Sequence, residues 1–122
     1  MLRFELLPGR NILVVIPEGP LEQADFEQFA RQVDPLIASA GSITGLMIEA
    51  QSFPGWRNFG AFVSHLRFVV DHHRDIERIA VVTDSGLLKV LPRVAAYFVK
   101  PTIRRFAPDE KARALAWLET GR

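Results

Sequence analysis

The sequence predicts one α/β domain with a mostly parallel five-stranded sheet, about four flanking helices and the order β-β-α-β-α-β-α-β-α. Three observations predict this class. Apolar, β-branched runs alternate with segments in which apolar residues recur at helical spacing. Glycine and proline separate these segments at short intervals. The length of 122 residues is that of a single domain with one core, so 1–122 is treated as one unit.

The first two predicted strands form a hairpin. Leu2–Leu7 and Ile12–Ile16 are joined by Pro8-Gly9-Arg10-Asn11, a turn so short that the strands must be antiparallel neighbours. The continuous apolar run of the second strand is typical of a strand covered on both faces. The other predicted strands are Ile43–Glu49, Arg78–Thr83 and Thr102–Phe106. Since helices separate these strands, we expect them to run parallel.

Four helices are predicted between and after these strands. The first covers Leu21–Ser39, and Pro35 should kink it because proline lacks the N–H that would bond back along the helix. The second extends from about Asn58 to His73, and the fourth from Pro108 to about Leu118. The third is predicted from apolar residues at helical spacing, namely Leu91, Val94, Ala95 and Phe98.

The second helix is apolar on two flanks. Its predicted core stripe comprises Phe59, Phe62, Val63, Leu66, Val69, Val70 and His73. A second line beside it comprises Ala61, His65, Phe68 and His72. A helix that is apolar on so broad a front must bury both flanks, so the second line should meet a neighbouring helix, a ligand or a second copy of the chain. His65, Phe68 and His72 are therefore candidate interface residues of a homodimer.

Composition argues against several classes of partner. A formal net charge of +1, from 15 basic and 14 acidic residues, gives little general field, so no nucleic-acid partner is predicted. The longest apolar stretches, such as Ile12–Pro17, are far shorter than the roughly 20 residues that span a bilayer, so no stable membrane insertion is predicted. The N-terminus lacks a signal-peptide pattern and the chain has no cysteine, which together favour a cytoplasmic location.

No metal, cofactor or catalytic residue is predicted. His65 and His72 are seven residues apart, about 10 Å along a helix, which is too far to share one ion. No Gly-x-Ser-x-Gly turn surrounds Ser85. Neither common glycine-rich phosphate loop occurs. These absences favour a non-catalytic module over an enzyme.

A candidate ligand site is predicted at the carboxyl ends of the parallel strands. Ligands of open α/β sheets bind at these ends, near a topological switch point. Glu49 and Asp84 occupy two such ends, and capping of turns is the simpler reading of both. Aromatic and charged residues follow Glu49 in the next loop and helix, namely Phe53, Trp56, Arg57, Phe59 and Phe62. Together these residues would surround one crevice.

Three stretches carry a resemblance to a known family. They are Phe53-Pro54-Gly55-Trp56, the stretch from His72 through Ile76-Glu77-Arg78-Ile79-Ala80-Val81-Val82-Thr83-Asp84, and Ala114-Leu115-Ala116-Trp117-Leu118. The chain resembles the STAS domain and, within it, the small bacterial SpoIIAA-like family over nearly its whole length. This resemblance implies a STAS-type sheet with helices packed around it, in a bacterial cytoplasm.

The resemblance also bears on function. Anti-sigma antagonists of the wider STAS group carry a phosphorylatable serine in an Asp-Ser-Ser-Gly-like stretch that opens the helix after the third strand. Here that stretch reads Arg57-Asn58-Phe59-Gly60 and has no hydroxyl, while Ser52 lies earlier in the loop. The similarity of the fold to lipid carriers of the CRAL-TRIO type implies a small apolar ligand.

Two functions remain after this comparison. The first is a module that binds a small apolar or amphipathic ligand near the second helix. The alternative is a regulatory module for protein interaction or dimerisation that lacks the phosphoacceptor serine. An enzyme that uses Glu49, Asp84 or His65 is the third and least favoured reading.

Overall fold

A five-stranded sheet whose strands follow each other in chain order forms the centre of the protein. The computed structural model describes residues 1–7, 9–50, 55–84, 86 and 99–122, without the side chains of Phe59 and Phe62. The strands are β1 (Leu2–Leu7), β2 (Ile12–Pro17), β3 (Ile43–Glu49), β4 (Ile76–Val82) and β5 (Thr102–Phe106). β1 is antiparallel to β2, and the other neighbours are parallel. The predicted α/β class and its mixed, mostly parallel sheet are confirmed.

Three helices lie in the part of the chain that the structure describes. They are α1 (Gln23–Ala40), α2 (Phe59–His72) and α3 (Lys111–Thr120). A short 3-10 turn, His73–Asp75, follows α2, and another, Pro108–Glu110, precedes α3. The predicted helix with Leu91, Val94, Ala95 and Phe98 lies outside the described residues.

Local chemistry explains where the first two helices begin. The Asp25 carboxylate accepts a hydrogen bond of 2.8 Å from the Glu22 backbone N–H and lies 3.2 Å from the N-terminal ammonium. The Asn58 side chain accepts one of 2.9 Å from the Ala61 N–H, which satisfies an otherwise unpaired donor of the first turn. Helix α1 continues through Pro35 to Ala40. The start of α2 is thus fixed directly beside the loop that carries Trp56.

The strand order never reverses among the described strands. Each parallel connection advances by one strand in the same direction, so the described sheet has no topological switch point. The switch-point crevice expected from the sequence is therefore absent from this part of the fold. Right-handed connections of this kind place α1 and α2 on the same face of the sheet.

Two hydrophobic cores lie on the two faces of the sheet. The first, which we call the α1/α2 face, joins residues of α1 and α2, such as Phe26, Phe29 and Phe68, to Leu13 and Leu46 of the sheet. The second, the α3 face, joins Ala114, Trp117 and Leu118 to the sheet. On this face the sheet contributes Ile12, Val14, Met47, Ala80, Val82 and Phe106. Each face therefore needs its own covering element.

The orientation of α2 corrects one sequence-based expectation. Two residues of the predicted core stripe, Leu66 and Val70, are 50% and 71% exposed. The second line is the buried one, because Ala61, Phe68 and His72 are each at most 8% exposed. The physical reason is the position of α1, which meets α2 through Phe68. Both flanks of α2 are apolar, and the neighbouring helix decides which one is covered.

Candidate functional site

An apolar cavity of about 250 Å³ lies on the α1/α2 face of the sheet. Its described walls come from all five strands and from α1 and α2, and include Val15, Leu46, Ile48, Val69, Ile79 and Ile103. The polar side chains among the described lining residues are His65, His72 and His73. These are all three histidines of the chain. Their hydrogen bonds therefore decide what chemistry the cavity presents.

His65 is a neutral hydrogen-bond donor. The indole Nε1–H of Trp56 donates to His65 Nδ1 over 3.1 Å, so this nitrogen carries a lone pair. Burial lowers the pKa of His65 below its ordinary value because the charged ring would lose its solvation. The ring proton therefore resides on Nε2. Phe26 stacks on the imidazole with ring centroids 4.7 Å apart, which holds the plane of the ring.

Both ring nitrogens of His72 are engaged within the protein. Its Nδ1 lies 2.8 Å from the Phe68 carbonyl oxygen, and its Nε2 lies 2.7 Å from Asp34 Oδ1. Each nitrogen of this ring thus faces an oxygen that accepts hydrogen bonds. The ring also stacks on Phe68 at 4.1 Å. The pair with Asp34 ties α2 to α1 at the edge of the cavity.

His73 lies in the turn after α2 and contributes the third imidazole. Its Nδ1 accepts a hydrogen bond of 3.1 Å from the backbone N–H of Lys100. The Lys100 ammonium in turn donates to the Arg74 carbonyl oxygen over 3.2 Å. These two bonds fasten the end of α2 to the chain just before β5.

The predicted crevice residues do not share the cavity. Glu49 ends β3, and its Oε2 lies 3.2 Å from Nζ of Lys111 on α3. Since side chains alternate along a strand, Ile48 faces the cavity and Glu49 faces the opposite side. Arg57 is exposed and pairs with Glu22 over 3.3 Å, and Asp84 is exposed beyond the end of β4. None of these three residues is among those that line the cavity.

The aromatic residues predicted near the site have different placements. Trp56 is partly buried and contacts the cavity through its bond to His65. Phe53 lies outside the described residues. The backbones of Phe59 and Phe62 lie in the first turn of α2, and their side chains are outside the description. Of the predicted loop aromatics, Trp56 is thus the one that the structure joins to the cavity.

The three candidate interface residues lie inside the chain. Phe68 and His72 are each 8% exposed, and His65 lies between Phe26 and Trp56. Side chains that are buried against their own α1 cannot form a surface for a second copy. Of the three readings of this flank, packing against a neighbouring helix is realised, and the cavity lies beside it. Among the side chains of α2 that the structure describes, the large apolar ones that are exposed are instead Leu66 and Val70.

The histidines were visible in the sequence, but their roles were not. Helical spacing placed His65 and His72 on one flank of α2, with His73 on the other predicted stripe, and argued against a metal ion shared by His65 and His72. Among the described residues, no group of three or more His, Asp or Glu side chains is arranged to hold a metal. The bond from Trp56 to His65 connects a loop to a helix and could not be derived from spacing alone.

No helix in the described ranges is both long enough and apolar enough to cross a bilayer.

Comparisons with known proteins give the family. A crystal structure of an uncharacterized protein of the DUF3478 family with a SpoIIAA-like fold, from Shewanella loihica PV-4, is similar to this chain with a TM-score of 0.76. The two are 24% identical, and the match covers 97% of this chain and 92% of that one. A search of curated proteins finds no match. The SpoIIAA-like family model matches residues 12–119, nearly the whole length, and the chain therefore belongs to the SpoIIAA-like family.

Proposed function

We propose that the domain is a non-catalytic module that binds a small apolar or amphipathic molecule in the cavity beside α2. The observation that supports this function is the cavity itself, about 250 Å³ of space with apolar walls. A dry apolar cavity of roughly 150 Å³ is already large enough to hold benzene. The space on the α1/α2 face is thus sufficient for a molecule of one ring and a few further atoms.

Apolar walls of this kind favour an occupant. The cavity is partly open, so its apolar side chains are accessible to water when nothing covers them, which is unfavourable. A ligand that covers these walls removes their apolar surface and its own from water and gains dispersion contacts. The walls offer little to a strongly polar molecule, since their described polar side chains are the three histidines. The walls of the cavity therefore favour ligands whose surface is mostly apolar.

Two adjacent valines of α2 provide a matched test. Val69 lines the cavity, whereas Val70 is 71% exposed on the other side of the helix. We expect the wild type to bind the apolar probe cumene saturably with one site, measured by ligand-observed NMR and calorimetry. Val69→Phe places a ring in the cavity and should abolish this binding. Val70→Phe adds the same ring outside and should leave it unchanged.

Two results would contradict the proposed function. One is a wild type that shows no saturable binding of cumene up to the solubility of the probe. The other is equal binding by the wild type and Val69→Phe, which would place the probe elsewhere. Native mass spectrometry of the protein purified from cells adds an independent measurement, because a retained small molecule would appear as a defined mass increment.

The second candidate function is association of two copies through the outer face of α2. Leu66 and Val70, one turn apart on the helix, are both exposed, and no other large apolar side chain described on α2 is exposed. A homodimer would cover them, and Leu66→Lys with Val70→Lys should then convert it to a monomer in sedimentation equilibrium. A wild type that is monomeric at every concentration would exclude this function. The cytoplasmic location and the lack of a nucleic-acid partner stay predictions from the sequence.

A further inference from the structure

The hydrogen bonds of the histidines indicate which ligands the cavity would select. Resting on the proposed function, we infer that the preferred ligand is a neutral molecule with a carbonyl-type hydrogen-bond acceptor, and that His65 Nε2–H donates to it. A ketone, an ester and an amide belong to this class. The inference has three parts, which are an unpaired donor, its fixed orientation and the absence of an uncompensated cation in the described walls.

The donor is the Nε2–H of His65. Its Nδ1 already accepts from Trp56, so the neutral ring can only donate through Nε2. No residue in the described part of the chain accepts a hydrogen bond from this nitrogen, although His65 lines the cavity. This nitrogen is not among the fully buried side-chain atoms that lack a partner, so its N–H is accessible from the cavity. A hydrocarbon that covers the N–H removes its contact with water and supplies no acceptor, which is costly, whereas a ligand with an acceptor replaces that contact.

The orientation of this donor is fixed before a ligand arrives. Trp56 determines which nitrogen carries the proton, and Phe26 stacks on the ring at 4.7 Å. The indole of Trp56 lies against the same ring, with centroids 5.9 Å apart. A preorganised donor loses little conformational freedom on binding, so most of its hydrogen bond contributes to affinity. Recognition of an acceptor therefore needs no rearrangement of His65.

Charge argues against an anionic ligand. No lysine or arginine lines the described walls. Both ring nitrogens of His72 are already engaged, by the Phe68 carbonyl oxygen and by the Asp34 carboxylate. A carboxylate bound in this cavity would lose its hydration without gaining a free cationic partner, which is strongly unfavourable away from water. A neutral carbonyl avoids this penalty and still accepts from His65.

Three probes of equal heavy-atom count separate these possibilities. Acetophenone carries a ketone, cumene replaces it with an apolar group, and benzoate replaces it with an anionic carboxylate. Dissociation constants would be measured by NMR titration at neutral pH on the wild type, His65→Phe and His65→Gln. Phenylalanine keeps a ring between Phe26 and Trp56 but has no donor. Glutamine keeps both an acceptor for the indole and an N–H donor.

The decisive quantity is the ratio of the acetophenone affinity to the cumene affinity. A change in the apolar packing of a variant affects both probes and therefore cancels in this ratio. We expect His65→Phe to lower this ratio by about threefold to tenfold, the effect of one net hydrogen bond. His65→Gln should restore most of it, and Val70→Phe should leave it unchanged. We also expect the wild type to bind benzoate at least tenfold more weakly than acetophenone.

The outcomes distinguish this inference from the proposed function. If neither the wild type nor any variant binds cumene or acetophenone, both the proposed function and this inference fail. If the probes bind in the cavity but the ratio is the same in wild type and His65→Phe, the role of His65 is refuted and the binding function stands. Tighter binding of benzoate than of acetophenone to the wild type would overturn the neutral-ligand class in the same way.

Discussion

The two faces of the sheet are built from similar strand residues but are filled to different extents. On the α3 face, a Cβ atom added at Gly45 would lie 2.8 Å from Cβ of Leu118, so the helix lies almost directly on the strand. Leu118 and Ala114 are completely buried there. On the α1/α2 face the walls leave about 250 Å³ unfilled. One face is a closed core, and the other holds a cavity.

The difference follows from the side chains at each helix contact. A glycine on β3 and an alanine on α3 let the backbones approach, and Trp117 fills the remaining space against Phe106 at 5.8 Å. The rings of α1 and α2 instead stack on each other, as Phe29 does on Phe68 at 4.9 Å. Rings that fill the space between two helices cannot also fill the space beneath them. Small residues thus close one face, and interhelical stacking leaves room on the other.

The largest expected effect is the loss of a large side chain from the closed face. Leu118→Ala should lower the free energy of unfolding by about 4 kcal/mol, near the upper part of the range for buried leucines, because the tight surroundings cannot collapse into the space. Leu46→Ala, at a cavity wall on β3, should cost nearer 2 kcal/mol because part of the Leu46 side chain faces the cavity instead of packed atoms. Urea denaturation of both variants tests this. Equal losses would contradict the contrast between the faces.

The next effect comes from adding one methyl group to the closed face. Gly45→Ala should cost about 1–3 kcal/mol, since the new Cβ would overlap Leu118. A double-mutant cycle with Leu118→Ala sharpens the test, because alanine removes the overlaps with Cδ2 and Cγ of Leu118, at 3.0 and 3.2 Å, but keeps the one with Cβ at 2.8 Å. The double variant should therefore be somewhat more stable than the sum of the two single losses indicates. Strict additivity would show that Cδ2 and Cγ of Leu118 contribute nothing to the overlap.

The sequence alone predicts a structural feature when the residues that determine the feature are neighbours along the chain. The sequence predicted β1, β3 and β5 with the bounds that the structure has. The signals were the turn that follows β1, the apolar run of β3 and the short, more polar segment of β5, and all of them are local. β4 begins earlier than predicted, at Ile76, since the pairing of Ile76 with Ile43 of β3 extends it. The parallel sheet followed from the connections between strands. The order of the strands, and hence the missing switch point, is a property of the whole fold.

The candidate site also combines features that neighbouring residues predict with features that depend on the whole fold. The spacing on α2 placed His65, Phe68 and His72 on one flank, but the covered flank depends on where α1 lies. The position of Glu49 at a strand end was predicted correctly, yet its neighbour Lys111 is 62 residues away along the chain. Strand alternation, which sends Ile48 and Glu49 to opposite faces, was the signal that could have separated Glu49 from the crevice.

A smaller effect is expected at the edge of the cavity, where Asp34 and His72 join the two helices. Asp34→Ala leaves the buried ring of His72 with one of its two partners, and should cost about 1 kcal/mol because the Asp34 side chain is largely exposed and solvent screens the pair. Asp34→Asn keeps an acceptor oxygen and should lose less. Glu27→Ala, at an exposed position of the same helix, is the control. A loss at Asp34 no greater than at Glu27 would refute the link.

The smallest effect is a change in the pH dependence of stability. It comes from His65, the neutral histidine on the α1/α2 face. Burial lowers the pKa of His65 in the folded protein below the ordinary value of 6.5 that applies to the unfolded chain. As the pH falls through about 6.5, the unfolded chain therefore takes up a proton that the folded chain does not, and stability decreases until the pH passes below the lowered pKa. Urea midpoints from about pH 8 to about pH 5 should fall less steeply for His65→Gln than for the wild type, since glutamine does not titrate. Because His72 and His73 are common to both proteins, the difference between the two curves isolates His65. Identical slopes would mean that His65 titrates in the folded protein as it does in the unfolded chain, and its role as a neutral donor in the cavity would be lost.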